Sequence, residues 1–219
     1  FTGIGAHERA AALAFLDGGA PLSGFHGSPR PSFFGGQEVR RFEAAWAERF
    51  GVAHAISVNS ATSGLVAAMA AIGVSPGDEV ITSPYTMTAT AVAPLFYGGI
   101  PVFADIEPDT FSLDPQAVER AITSRTRAIL AVNIFGHPAE LAKLRALADE
   151  RGLFLVEDNA QAILAEEKGR RAGTIGHIGV FSLNIHKHIQ TGEGGMIVTD
   201  DAHLARRLQL IRNHGENVI

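Results

Sequence analysis

One lysine stands where its amine could do chemistry. Lys187 follows an apolar run at residues 179–183 and precedes the glycine-rich segment 192–195. A lysine that is partly desolvated at the end of a strand is suited to imine formation with a carbonyl compound. Most lysines are instead solvated surface charges, and the flanking His186 and His188 raise the alternative of a metal site. A metal is disfavoured because no Asp, Glu or Cys stands nearby at a usable ligand spacing.

A carboxylate and an amide follow a second apolar run. Residues 153–157 are apolar up to Glu157, and Asp158 and Gln161 come next. An aspartate at this place can pair with a protonated ring nitrogen, as the pyridinium of pyridoxal 5′-phosphate (PLP) requires. The structural alternative is that Asp158 caps the following segment and that Gln161 is simply exposed.

Small and hydroxylated residues follow a third apolar run, 53–58. The segment reads Asn59-Ser60-Ala61-Thr62-Ser63-Gly64 and leads into a helical pattern. The unpaired N–H groups and the positive dipole end of such a helix start can hold a phosphate. An ordinary helix cap by Ser60 or Thr62 explains the same residues.

Three glycines, Gly192, Gly194 and Gly195, precede the apolar run 196–199. Glycine permits positive φ and lets the backbone approach a ligand or a partner chain closely. A tight hairpin in front of the strand explains the cluster equally well. Competing motifs are weak, since the sequence has no GxxxxGK[ST] and no GxSxG, and its first glycines lack a dinucleotide-binding pattern.

The elements that must position these residues alternate between short apolar runs and helical patterns. Strands are predicted at residues 53–58, 79–82, 100–104, 128–132, 153–157, 179–183 and 196–199. Helices are predicted at 36–50, with Trp46 in the core, then from 62, from 86, near 115–122, at 141–147 and at 204–211. This alternation predicts an α/β fold, with a mainly parallel central sheet covered by helices on both faces in three α/β/α layers. Ligands bind such sheets at the carboxyl ends of the strands.

Composition limits the other classes of function. The 219 residues, 46% of them hydrophobic, can form one large domain. A net charge of -5 without a long run of like charges argues against nucleic acid as a partner. No apolar stretch is long enough to span a membrane and no charged leader precedes an apolar core, so we expect a cytoplasmic protein. The absence of cysteine excludes disulfides and thiolate chemistry.

Residues 1–35 are expected to form a separate N-terminal part. They combine a short helical pattern around residues 8–16 with an irregular arm at 23–30 that is rich in Gly, Pro and Ser. Residues 36–219 are expected to form the large domain.

Taken together and in order, these segments resemble the DegT/StrS family of PLP-dependent sugar aminotransferases, which have fold type I. The resemblance covers nearly all of residues 36–215. It rests on Gly36-Gln37-Glu38-Val39-Arg40-Arg41-Phe42-Glu43, Asn59-Ser60-Ala61-Thr62, Pro76-Gly77-Asp78-Glu79-Val80-Ile81, Pro101-Val102-Phe103-Ala104-Asp105-Ile106, Glu157-Asp158-Asn159-Ala160-Gln161-Ala162, and the stretch from Phe181-Ser182 to Gly194-Gly195.

The resemblance implies a large PLP-binding domain with a phosphate site. It implies that Ala61 and Thr62, in the turn that begins at Ser60, hold the cofactor phosphate. Ser182 would add a further phosphate contact.

It also implies the residues around the ring. Asp158 would pair with the pyridine nitrogen, Gln161 would lie near the ring hydroxyl, and Lys187 would hold the cofactor as a Schiff base and shuttle the proton. Where relatives often carry an aromatic residue that stacks on the ring, this chain offers Met87, with Tyr85 as the alternative.

A related branch of the family has histidine in place of the lysine and catalyses dehydration. Counting back from Glu193-Gly194-Gly195, Lys187 occupies the lysine place. The resemblance therefore implies transfer of an amino group from an amino acid, Glu or Gln, to a keto sugar that carries a nucleotide. It further implies a homodimer with sites at the subunit interface and a small C-terminal domain, which this chain lacks. A PLP-binding regulator and a PLP-dependent sugar dehydratase remain alternatives.

Overall fold

The apolar runs of the sequence form the strands of one sheet. The computed structural model describes residues 4–19, 25 and 32–215. The strands in chain order are β1 (His54–Val58), β2 (Glu79–Thr82), β3 (Ile100–Phe103), β4 (Thr126–Val132), β5 (Phe154–Asp158), β6 (Glu166–Glu167), β7 (Arg170–Arg171), β8 (Ile178–Ser182) and β9 (Gly195–Thr199). The short strands β6 and β7 form a separate antiparallel ribbon.

Helices connect the strands. They are α1 (Ala6–Asp17), α2 (Gln37–Phe50), α3 (Ala61–Ala71), α4 (Thr88–Val92), α5 (Pro115–Ala121), α6 (Leu141–Arg151) and α7 (Ala202–Arg212). Short 3-10 segments lie at Ser32–Phe34, Ala93–Tyr97 and Ile134–Gly136. Within the described residues, no helix combines the length and the apolar character that crossing a membrane requires.

The sheet has seven strands in the order β1-β9-β8-β5-β4-β2-β3. Strands β8, β5, β4, β2 and β3 are parallel neighbours, whereas β9 runs antiparallel to both β8 and β1. The carboxyl ends of six strands and the amino end of β9 therefore meet at one edge of the sheet.

Apolar side chains cover both faces of the sheet. On one face, α3 and α7 pack over β1, β5, β8 and β9, with Leu65 and Leu208 fully buried. On the other face, α5 and α6 cover β4 and β5, and α2 covers β8 and β9 through Trp46 and Phe50. This arrangement confirms the predicted three-layer α/β fold and the core position of Trp46.

The alternation of side chains along β5 and β8 decides where polar groups point. Val156 and Val180 both pack in the core under α3. Because successive residues of a strand face opposite sides, Asp158 and Ser182, two positions further on, face the same side as α3. Glu157 lies on the opposite face of the sheet.

Most boundaries agree with the sequence predictions to within one or two residues. The helix predicted from residue 86 begins two residues later, as α4 at Thr88, and it is short because a 3-10 segment that contains Pro94 follows it. The predicted N-terminal helix is present as α1, whose side chains contribute nothing to the core. The predicted arm at 23–30 lies outside the described residues except for Phe25.

Gly179, in the middle of β8, allows two backbone segments to touch. A Cβ atom at this position would lie 1.9 Å from the carbonyl oxygen of Gly173, far inside van der Waals contact. The loop before β8 therefore packs directly on the strand, and no side chain fits between them.

We expect Gly179→Ala to lower the free energy of unfolding by about 3 kcal/mol or more, because the backbone of residues 173–179 has to move apart. Gly152→Ala is the matched control. Gly152 has a φ of 66° and no atom near its missing Cβ, so only the left-handed strain of about 1 kcal/mol applies. Urea denaturation measures both values, and equal losses would contradict the close contact at Gly179.

Candidate functional site

A cavity of about 310 Å³ opens at the carboxyl edge of the sheet. Its size falls in the range of small-molecule sites. The structure brings together all the site residues that the sequence predicted. The cavity is lined by Ser60, Ala61, Thr62, Met87, Asp158, Gln161, Ser182 and Lys187.

The turn between β1 and α3 forms one wall of the cavity. Ser60 is the N-cap of α3, and its hydroxyl oxygen accepts the backbone N–H of Ser63 at 3.1 Å. The first N–H groups of a helix have no acceptor inside the helix. Those of Ala61 and Thr62 are thus available to an anion in the cavity, where the helix dipole is also favourable. Capping and anion binding are compatible readings of this segment.

Gly195, at the amino end of β9, packs directly against the backbone of the same turn. A Cβ atom here would lie 2.7 Å from the carbonyl carbon of Ser60 and 2.8 Å from the nitrogen of Ala61. Only glycine lets β9 approach the turn this closely. Of the two explanations of the glycine cluster, the structure favours close approach of the backbone, because a loop of residues 183–194 and not a tight turn joins β8 to β9.

Asp158 brings a buried carboxylate to the cavity. Its side chain is only 5% exposed, and Oδ1 accepts the N–H of Ala160 at 3.1 Å. Burial raises the pKa of Asp158, while hydrogen bonds and the positive charge of Lys187 act in the opposite direction. The influence of Lys187 on Asp158 indicates that the two predicted residues share one electrostatic environment.

Thr90 is a residue of the site that the sequence prediction missed. Its hydroxyl donates to Oδ2 of Asp158 at 2.7 Å and lies 2.9 Å from the hydroxyl of Thr86, which lines the cavity. Thr90 is completely buried. No local sequence signal marks Thr90, because its hydrogen bond to Asp158 joins residues 68 positions apart in the chain.

Lys187 lies in the loop between β8 and β9. Its backbone N–H donates to the carbonyl of Asn184 at 2.9 Å, and Asn184 also bonds through its side-chain amide to Glu193 at 2.5 Å. Lys187 is half-buried and lines the cavity, whereas His188 is exposed and lies outside the lining. His186 is exposed but also lines the cavity.

Gln161 and Met87 also line the cavity. Gln161 is half-buried, and its Oε1 accepts the backbone N–H of Phe135 at 2.8 Å. Met87 is 67% exposed at the cavity. The alternative stacking residue, Tyr85, is not in the lining and instead packs against the rings of Phe111 and Phe135, with centroid distances of 5.4 and 6.0 Å.

Comparison with known proteins identifies the family. The model of the DegT/DnrJ/EryC1/StrS aminotransferase family matches residues 31–218. The chain belongs to this family. It is 43% identical over 185 residues to a UDP-N-acetyl-3-dehydro-alpha-D-glucosamine 3-aminotransferase from Acidithiobacillus ferrooxidans, covering 84% of this chain and 50% of the relative. It is 44% identical over 176 residues to the L-glutamine:2-deoxy-scyllo-inosose aminotransferase of Streptomyces kanamyceticus, covering 80% and 41%.

Solved structures of the family have the same fold. The crystal structure of S. venezuelae DesV in complex with a ketimine intermediate superposes with a TM-score of 0.87 at 41% identity, covering 96% of this chain and 54% of that chain. Its fold type I class confirms the predicted fold. The chain spans about half the length of the curated relatives it matches.

Residues of this DegT-family chain fit the cofactor PLP, which carries a phosphate and a basic ring nitrogen. The N–H groups at the start of α3, held close to β9 by Gly195, suit a phosphate. A buried carboxylate such as Asp158 is costly unless a positive group pairs with it. Among the described residues no salt bridge includes Asp158, and a protonated ring nitrogen would supply that partner.

Replacing Asp158 by Asn is expected to stabilise the cofactor-free protein. Because burial raises the pKa of Asp158 above the ordinary value of an aspartate, ionisation of Asp158 costs stability as the pH rises from about 4 through the folded-state pKa. The gain should therefore be absent at the acid end and reach on the order of 1 kcal/mol near pH 7.

Urea denaturation of cofactor-free protein at several pH values measures this gain. Asp201→Asn is the control of opposite sign, because N–H groups of α7 lower the pKa of Asp201 and its ionised form stabilises the fold above about pH 4. A gain for Asp158→Asn that did not change with pH would contradict the burial argument.

Proposed function

We propose that this chain is the cofactor-binding part of a PLP-dependent aminotransferase. The enzyme would move an amino group from Glu or Gln to a keto sugar linked to a nucleotide. The supporting observation is the convergence in one cavity of Lys187, the buried carboxylate of Asp158 and the helix start at Ala61. The names of the relatives, which act on a UDP-linked sugar and on an inosose, support the class of acceptor.

The residues of the cavity would bind both the phosphate and the ring of the cofactor. The N–H groups of Ala61 and Thr62 and the hydroxyls of Ser60 and Ser182 would hold the phosphate. Gln161 would orient the ring through its hydroxyl. When bound, PLP supplies a carbonyl that accepts an amino group and a ring that withdraws electrons from the reacting carbon.

Asp158 would hold a proton on the ring nitrogen. Its carboxylate receives a hydrogen bond from Thr90 on one oxygen and from the backbone of Ala160 on the other, so its orientation is fixed before any ligand binds. A fixed charge does not have to reorganise during the reaction, which is the main advantage of such a site.

Lys187 would be the catalytic base. Its amine would hold the cofactor through the carbonyl that PLP supplies, and as a base it would move the proton of the reacting carbon. Met87 would cover the ring on its exposed side.

We also propose a cytoplasmic homodimer with its sites at the interface. Tyr85, Phe111 and Phe135 form an exposed aromatic cluster and are 44%, 44% and 68% exposed. The backbone N–H of Phe135 donates a hydrogen bond to Gln161, which lines the cavity. Exposed apolar surface of this kind beside a site supports a covered interface there.

Lys187→Ala should abolish the visible absorption band that appears when PLP is added to the purified protein, because among the described residues no other lysine lines the cavity. Amino transfer should fall by roughly 10²–10⁴-fold or more, the usual contribution of a proton-transferring group. Lys168→Ala, at an exposed turn, is the matched control and should keep both. An unchanged spectrum in Lys187→Ala would remove Lys187 from this role.

A panel of donors and acceptors should separate transamination from the alternatives. With ¹⁵N-labelled Glu or Gln and UDP-linked, dTDP-linked or cyclitol ketones, we expect label in the amine of the product, as measured by mass spectrometry. A dehydratase would yield a product without donor nitrogen, and a regulator would bind PLP without turnover. Either result would overturn the proposed reaction and leave the cofactor site intact.

A further inference from the structure

Glu157 is a wholly buried carboxylate on the face of the sheet opposite to the cavity. Its Oε1 accepts the N–H groups of Ile175 at 2.8 Å and Gly176 at 2.5 Å. Its Oε2 accepts the N–H of Gly173 at 2.5 Å and the side-chain amide of Asn133 at 3.3 Å. Among the described residues, no salt bridge includes Glu157.

The four hydrogen-bond partners of Glu157 require a side chain that only accepts hydrogen bonds. All of them donate, and only an ionised carboxylate offers acceptors alone. Burial raises the pKa of Glu157, and these four hydrogen bonds oppose that rise. A glutamine would turn an NH₂ group toward N–H donors and leave at least one of them without an acceptor, which destabilises the loops that carry those donors.

Asn133 connects Glu157 with the loops beside the cavity through hydrogen bonds. The residue is completely buried at the end of β4, and its amide group donates both to Glu157 and, at 2.8 Å, to Oδ1 of Asn159. Its own backbone N–H donates to the carbonyl of Asp158 at 3.0 Å. Its Oδ1 accepts the N–H of Ala139 at 2.9 Å, which fixes the loop after β4.

Asn159 fixes the turn that contains Gln161, a residue that lines the cavity. Its side-chain amide donates to the carbonyl of Ala162 at 3.0 Å and closes the turn 159–162. Gln161 lies in that turn, and its Oε1 accepts the N–H of Phe135 from the loop after β4. The two loops that flank the cavity are therefore joined by a buried network that ends at Glu157 and by the exposed hydrogen bond between Phe135 and Gln161.

We propose that Glu157 is a positioning residue for the ring-binding side of the site. Through Asn133 and Asn159 it sets the position of Gln161 relative to Asp158, although it touches neither the cavity nor any ligand in it. This inference rests on the proposed function, because it assigns a purpose to the position of Gln161. Its location on the covered face keeps the network away from water and from substrate.

The test compares Glu157→Gln with Glu79→Gln. Glu79 is also a buried carboxylate of the same sheet, 4% exposed, but lies at its amino edge and bonds to Thr123 and Arg125. Both variants should lose stability. Only Glu157→Gln should raise the amide hydrogen-exchange rates of residues 133–139 and 159–162 in the cofactor-free protein, by about tenfold for about 1.4 kcal/mol of local stability.

The second readout is PLP itself. Glu157→Gln should weaken PLP binding, followed by its visible absorption, by about tenfold and should displace the pH dependence of that band, whereas Glu79→Gln should leave both unchanged. Exchange rates and PLP binding like those of Glu79→Gln would show that Glu157 serves stability alone and would overturn the proposal.

Asn133→Ala tests the link if Glu157→Gln does not fold. It leaves Glu157 with three backbone donors but removes the connection to Asn159, so we expect the same faster exchange at 159–162. Unchanged exchange there would overturn the proposal. If wild-type protein failed to bind PLP, the proposed function would fail, while the exchange measurements would still decide whether Glu157 holds the two loops.

Discussion

The site depends on the register between two neighbouring parallel strands. Val156 pairs with Ile178 and Asp158 with Val180 across the β5–β8 ladder, and both strands end at the same edge with the same face turned toward α3. A shift of one residue in either strand would turn Asp158 or Ser182 to the opposite face, since strand side chains alternate. Buried apolar residues on both faces make such a shift unfavourable, so the hydrophobic core also fixes the chemistry.

Glu157 and Asp158 are consecutive buried carboxylates, but their surroundings give them different roles. Glu157 is surrounded by donors that satisfy all its acceptor positions, so it acts as part of the scaffold. Asp158 receives two hydrogen bonds and faces the cavity, and burial raises its pKa without a cation bonded to it. The same strand thus carries one carboxylate with a full set of hydrogen-bond donors and one without a bonded cation. A buried carboxylate with a perturbed pKa beside a cavity is typical of ligand-binding sites.

The sequence alone predicted most of the fold and the cavity. The periodic apolar runs located the strands, and the rule that ligands bind at strand ends brought Ser60, Asp158 and Lys187 together. It could not predict contacts that depend on tertiary packing. Thr90 reaches Asp158 across 68 residues of chain, and nothing in its local sequence marks it. The separation of Tyr85 from the cavity likewise depends on Phe111, which no local pattern connects with it.

The reversed direction of β9 has a consequence for how this fold can change. Because β8 and β9 are antiparallel and pair as far as Ser182 and Gly195, the lysine-bearing loop leaves and re-enters the sheet at a single point. Apart from the buried Leu183, the residues of this loop lie outside the hydrophobic clusters, so most of them can be substituted without changing the packing of the sheet. A fold with this arrangement can therefore change the side chains along one wall of the cavity by altering a single segment of chain, while the surrounding strands and helices stay the same.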